Sequence, residues 1–248
     1  MFDGSRVHSG DREDPAVHAA VQKVIELITD GARDGLGSGR AASLFIAKLG
    51  ARRRQGLRVS GVPTSKACAA EARGAGIPLF TLGEGGPLDL TVDGADEVAP
   101  NLDFMKGFGG AMVRERIVAA ASGSHVIIVG EGKLVGALGG RGRLPVEATS
   151  VTLWAVLEKL ELLGLAPTLR SDANGSRPLI TESGNYILDC ELSEPIGDPS
   201  VARELEQRLL AIDGVVDTGL SLGTADRVFV GYADGHVDSL SRMHHVLS

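Results

Sequence analysis

Cysteine is nearly missing from this chain: Cys68 and Cys190 stand far apart and outside any C-x-x-C pattern. That argues against a disulfide framework or a thiolate zinc site, and for two buried, inert thiols. No apolar run reaches the length of a membrane span. The opening MFDGSRVHSGDREDP has neither the apolar core nor the cationic start of an export signal, so the expected address is cytoplasmic with no membrane partner. His8, His18, His125, His236, His244 and His245 fall in no H-E-x-x-H or comparable spacing, and no metal site is expected. Positive charge is short as well. A net charge of -7 argues against nucleic acid, though a small phosphate ester needs only a local positive site.

What is present is ordinary in bulk. With 248 residues, 43% hydrophobic and 23% charged, the chain has the composition of a soluble globular protein of one large domain or two smaller ones.

One stretch, residues 88–121, stands out. Leu88, Leu90 and Val92 alternate with polar residues at the period of a strand. The strand runs out at Asp93-Gly94-Ala95-Asp96, read as a tight turn. An acidic pair is costly to bury there, so it is expected to line solvent, a cleft or a ligand. Lys106-Gly107-Phe108-Gly109-Gly110 follows, then a helix from about Ala111 with Glu115 one turn in. Glycines entering a helix leave backbone N–H groups outward, ready for an anion. Composition alone favours a solvated loop with ordinary surface charge. The order of the whole motif favours a site.

The rest alternates strand and helix. A helix is predicted over residues 16–29, and residues before about 13 read as disordered. Gly35, Gly37 and Gly39 precede a second helix. Gly37-x-Gly39-x-x-Ala42 is a weak match to a dinucleotide fingerprint, and the next strand (57–60) ends without the acid such a site requires. No nicotinamide or other cofactor is expected. Arg33 and Asp34 stand where a buried strand wants aliphatic residues, which predicts a very short first strand. Strands at 78–82, 88–92 and 124–129 imply a parallel sheet covered on both faces, with Gly37, Thr64, Asp93 and Glu131 just after strands. Ligands bind at such carboxyl ends. From about residue 145 the order becomes β-α-β-β-α-β, the ferredoxin-like pattern, with Gly184-Asn185 as a turn. The expected fold is thus α/β: a Rossmann-like domain of residues 1–144 plus 220–248, and a ferredoxin-like α+β domain of residues 145–219.

The succession DGADE, KG-x-GG and RE-[KR]-I resembles that of ribose-5-phosphate isomerase of the A type. The resemblance is collinear over most of the chain. It continues in Pro63-Thr64-Ser65, in Lys133 and the Leu144-Pro145-Val146-Glu147 that follows, and in the 180–189 hairpin. Departures are equally definite. The family carries G-x-G-T-G-S-T-A where this chain has Ser38, Gly39, Arg40 and Ala41, so two hydroxyls have become Arg and Ala. Gly130 and Gly132 replace the usual Asp and Ser, Glu182 replaces Asp, and Ser221 stands where Phe is common. Arg40 is either a bidentate phosphate contact or a solvated helix residue.

The resemblance implies a metal-free aldose–ketose isomerisation of D-ribose 5-phosphate and D-ribulose 5-phosphate, and a homo-oligomer, dimer or tetramer. It implies Glu115 as the base, with substrate contact from the Asp, Lys and Gly-loop positions. Such a reaction needs one base reaching two adjacent carbons, a group for the oxyanion and proton handling at the oxygens. Lys106 suits the oxyanion, and Asp93 and Asp96 suit the hydroxyl protons. Contacts with the sugar phosphate are expected from Ser38, Gly39, Arg40, Ala41, Gly94, Ala95, Gly107, Phe108, Gly109 and Lys133. Three other readings compete: a non-catalytic sugar-phosphate sensor, a CoA transferase with a glutamate nucleophile, and an isomerase of another aldose phosphate.

Overall fold

A computed structural model describes residues 14–242. The segment expected to be disordered lies outside them, as do His8, His244 and His245. The chain opens with α1 (Pro15–Ile25), where Asp14 accepts from the Ala16 amide at 2.9 Å and Pro15 takes a position that needs no N–H. Then come β1 (Ala32–Leu36), α2 (Arg40–Arg54), β2 (Val59–Pro63) and α3 (Lys66–Gly74), whose N-cap is the Ser65 hydroxyl. β3 (Leu90–Gly94), β4 (Glu97–Val98) and β5 (Phe104–Met105) lead into α4 (Met112–Ala120) and β6 (His125–Gly130). A second run follows: β7 (Leu144–Ala148), α5 (Leu153–Leu162), β8 (Ala166–Leu169), β9 (Tyr186–Glu191), α6 (Pro199–Leu210) and β10 (Val215–Thr218). The last described elements are β11 (Leu220–Ser221), β12 (Arg227–Gly231) and β13 (Val237–Ser241).

Six strands form the main sheet in the order β13-β12-β6-β3-β1-β2, parallel except for the antiparallel edge strand β13. The chain moves outward one way from β1 to β2 and then to the other side at β3. The β1/β3 boundary is therefore a topological switch point, where a crevice opens at the strands' carboxyl ends. Val92 and Leu36 point into the core shared with α1, α2 and α3. On the opposite face Val118 of α4 packs with Val62 and Leu88, while Ile127 and Val129 pack with Phe104 and Val98. The second sheet, β10-β7-β9-β8, is antiparallel, with a core of its own that includes Val146, Val156, Leu160, Leu188 and Leu209. A three-stranded sheet, β11-β5-β4, stands beside the main one.

Several expectations change. The helix predicted over 16–29 ends at Ile25. Residues 78–82 make a single bridge, Leu79 to Gly61, before a 3₁₀ turn at Leu82–Glu84 closed by a Thr81/Glu84 capping box. β1 is five residues long despite Arg33 and Asp34, because its ladder partners on both sides fix its backbone. β9 begins at Tyr186, since the Thr181–Asn185 turn occupies what reads as the front of that strand. β13 was not anticipated: Val237–Ser241 is polar and largely exposed. Among the described residues no helix is long and apolar enough to cross a membrane. Cys68 and Cys190 are both free and buried, and burial pushes each thiol up to about 12.

Candidate active site

The crevice at the switch point is a cleft of about 550 Å³. Its floor comes from β3 and α4. Asp93 sits in β3 on the α4 side of the sheet, and β1 must pass close beside it. A Cβ on Gly37 would lie 2.4 Å from Asp93 Oδ1, so only glycine lets the two strand ends approach this closely. Lys106 follows β5, and its Nζ donates to Asp93 Oδ2 at 2.5 Å and to Glu115 Oε2. All three are buried: Asp93 is 1% exposed, Lys106 6% and Glu115 6%. One cation thus joins two carboxylates where water is scarce.

Their titration follows from this packing. Burial raises the Glu115 carboxyl to about 7, the Asp93 charge adds to that, and Lys106 opposes it. Burial works against the Lys106 charge, but Asp93 and Glu115 outweigh it and hold the ammonium above its usual range. Asp96 is also raised by burial, while the Phe108 amide, Lys133, Lys106 and Arg170 pull it down. A base poised near neutrality, a fixed ammonium and a second, half-buried acid can together move protons between carbon and oxygen.

The walls bring together most of the residues singled out from sequence. Ser38, Gly39, Arg40, Ala41, Gly94, Ala95, Asp96, Gly107, Gly109 and Lys133 all line the cleft with the floor triad. Arg40 opens α2 and is exposed, just after Gly39 in the left-handed region at φ +87°. Ser38 is tied at 2.7 Å to Thr64 and 2.9 Å to Ser65, so the β1 and β2 exits are laced by hydroxyls. Phe108 is the exception. Its ring lies outside the lining, under the Arg143 guanidinium at 4.7 Å, and only its amide reaches the site, donating to Asp96 Oδ2 at 3.0 Å. The turn expected over residues 93–96 is shifted, because β3 continues through Gly94 and Ala95 and Asp96 make the connection to β4.

Sequence reasoning missed the far wall. Leu179, Ile180, Thr181 and Glu182 reach the cleft from the turn before β9, and Glu182 accepts from the Lys66 amide at 2.7 Å across to α3. The 180–189 pattern reads as a hairpin turning at Gly184-Asn185, with nothing in its own residues to place it opposite Glu115. His125 is buried against Phe104, with ring centroids 5.7 Å apart, and burial holds its imidazole down at about 4, a core residue rather than a ligand. Among the described residues no group of three or more His, Cys, Asp or Glu is placed to hold a metal ion.

Comparison with known proteins agrees on one family. The family model for ribose 5-phosphate isomerase A (phosphoriboisomerase A) matches residues 60–235. The ribose-5-phosphate isomerase A of Gloeobacter violaceus is 45% identical over 217 residues, 87% of this chain and 92% of its own length. The solved structure of ribose 5-phosphate isomerase A from Methanocaldococcus jannaschii superposes with a TM-score of 0.85 at 37% identity, covering 93% of this chain and 99% of that one. A D-ribose-5-phosphate isomerase solved in complex with phospho-erythronic acid superposes at 0.86 with 34% identity and the same coverage.

Proposed function

The chain belongs to the ribose 5-phosphate isomerase A family and interconverts D-ribose 5-phosphate and D-ribulose 5-phosphate; from that premise we propose that Glu115 is the base that carries the proton. The observation that carries this reading is the Lys106 ammonium held between Glu115 and Asp93 on the cleft floor. In the aldose, Glu115 takes the proton from C2. The C–H electrons form the C1=C2 bond, and the carbonyl oxygen becomes an oxyanion beside Lys106. Asp93 and Asp96 pass the hydroxyl proton from O2 to O1 and open the sugar ring. Glu115 then returns its proton to C1, leaving the ketone at C2. A carboxyl titrating at about 7 suits both halves, since it must accept and release within one turnover.

The phosphate is placed at the α2 N-terminus. Backbone amides and the helix dipole favour an anion there. Arg40 adds a guanidinium and Lys133, across the cleft, a second cation. The bound phospho-erythronic acid of the related isomerase, a sugar acid phosphate, supports a ligand of this class. We further read the main sheet as a Rossmann-like domain of residues 1–144 plus 220–248, and residues 145–219 as a ferredoxin-like domain, a division supported by the β10-β7-β9-β8 order. Homo-oligomerisation is supported by Val151, Trp154 and Leu162, large apolar side chains exposed in and just before α5.

Exchange of the C2 hydrogen of ribose 5-phosphate with solvent tests the base directly. Glu115→Gln is expected to abolish exchange and to lower kcat by about 10²–10⁴-fold, the usual worth of a general base, with little change in substrate affinity. Wild-type exchange in that variant would remove Glu115 from the role. In the parent enzyme kcat/KM is expected to rise with pH through about 7, as Glu115 loses its proton.

A further inference from the structure

The loop that carries Lys106 belongs to the main sheet, yet it is braced from the second one. Arg170 follows β8, and its side chain is 9% exposed. Its Nε donates to Asp189 Oδ2 at 2.8 Å and its Nη2 to Asp189 Oδ1, a two-pronged pair that fixes the guanidinium plane. The remaining Nη1 donates to the carbonyls of Gly107 at 2.8 Å and Phe108 at 3.1 Å. The Gly107–Phe108 peptide is therefore held at both ends. Its C=O accepts from Arg170, and its N–H donates to Asp96 Oδ2 at 3.0 Å. In a trans peptide those two bonds point in opposite directions. A continuous path thus runs Asp189–Arg170–peptide–Asp96.

We infer that Arg170 is a positioning residue for the isomerisation, gripping the Gly107–Phe108 peptide so that its amide orients the Asp96 carboxylate. The inference rests on the proposed role of Asp96 in moving hydroxyl protons. The loop has little stiffness of its own, because Gly107 sits at φ +105° and Gly109 and Gly110 follow. A carbonyl bonded to a guanidinium also makes the opposite N–H a better donor. The charged groups facing Asp96 are Lys106, Lys133 and Arg170, which favour its ionised form, and Glu115, which opposes it. Withdrawing Arg170 removes one favourable charge and loosens the amide, so Asp96 holds its proton to higher pH.

The test is a double-mutant cycle between Arg170→Lys and Asp96→Asn, read as kcat and KM separately. Lysine keeps the charge beside Asp189 but lacks the fork that reaches both carbonyls. Arg170→Lys is expected to lower kcat about tenfold, the usual worth of a charge-assisted bond, and to leave KM within about twofold. On an Asp96→Asn background the same change is expected to cost almost nothing. Equal losses on both backgrounds would overturn the inference. Asp96→Asn with wild-type turnover would instead overturn the Asp96 role itself. Arg170→Met with Asp189→Asn removes both buried charges together; a loss of activity no larger than the loss of folded protein would reduce Arg170 to a structural residue.

Discussion

Two buried acids with the same raised titration sit in different surroundings in this protein. Asp34 lies in β1 on the face of Ala32 and Leu36, inside the core beneath α1, α2 and α3. Neither of its carboxylate oxygens has a hydrogen-bond partner of good geometry, and burial, helped by the Asp89 charge, raises it to about 7. Glu115 reaches the same value, again mainly through burial, but it meets Lys106 and opens on the cleft. A shifted pKa by itself therefore does not mark a site. What separates the two is a fixed cation and access for a ligand, and Asp34 has neither among the described residues.

The sharpest way to break this contrast is to make the site resemble the core. Lys106→Met leaves Asp93 and Glu115 buried without their cation. Breaking a buried pair this way typically costs about 3–5 kcal/mol, and kcat should fall at least as far as for Glu115→Gln. Calorimetry should show the lost stability returning at acid pH, where both carboxyls take protons; a pH-independent loss would mean that charge is not the cause. The converse change is Asp34→Val. A folded-state acid near 7 against an ordinary unfolded one means that the parent loses stability as pH rises from about 4 to 7 and no more above that, on the order of 4 kcal/mol in all. The variant's advantage in melting temperature should widen over that window. A constant advantage would show that Asp34 is not protonated in the folded protein.

Smaller effects sharpen the picture at the cleft wall. Arg40→Ala should raise KM for ribose 5-phosphate about ten- to a hundred-fold, the worth of a charge-assisted contact, with kcat nearly unchanged. Free ribose, lacking the anion, should hardly notice, and an unchanged KM would return Arg40 to a solvated helix residue. The smallest expected effect is none: EDTA should leave turnover intact, because Lys106 already supplies the positive charge between the two carboxylates. Assays with and without chelator decide it.

The floor of the cleft was legible in the sequence because one strand–loop–helix unit delivers Asp93, Asp96, Lys106 and Glu115 in chain order. The second wall was not. Thr181 and Glu182 come from a turn some seventy residues after Glu115, and only the packing of the second sheet on the first brings them to the cleft. Arg170, just past β8, was silent in the sequence for the same reason, since its contacts with the Gly107 and Phe108 carbonyls depend on that packing. Phe108 shows the limit of reading a side chain from its place in the glycine loop: its amide reaches the cleft, while its ring stacks under Arg143. The strand predicted at residues 78–82 failed for a local reason, since the Thr81/Glu84 capping box turns the chain before a ladder can extend. β13 gave no alternating apolar signal because its outer face is water.

β12 carries a consequence for how the molecule is made. It lies beside β6 in the main sheet, but the whole of the second sheet is synthesised between them. Until residue 231 has left the ribosome, β6 presents an unpaired parallel edge of uniformly apolar residues, His125 apart. The packing of α1 stays incomplete until then, because Ala16 of its first turn rests directly on Gly231, where even a methyl group would come within 1.7 Å of the Ala16 carbonyl oxygen. α1, which also packs on α2 and β6, thus gains this neighbour only when β12 arrives, and through that interval the β6 edge is open to mispairing.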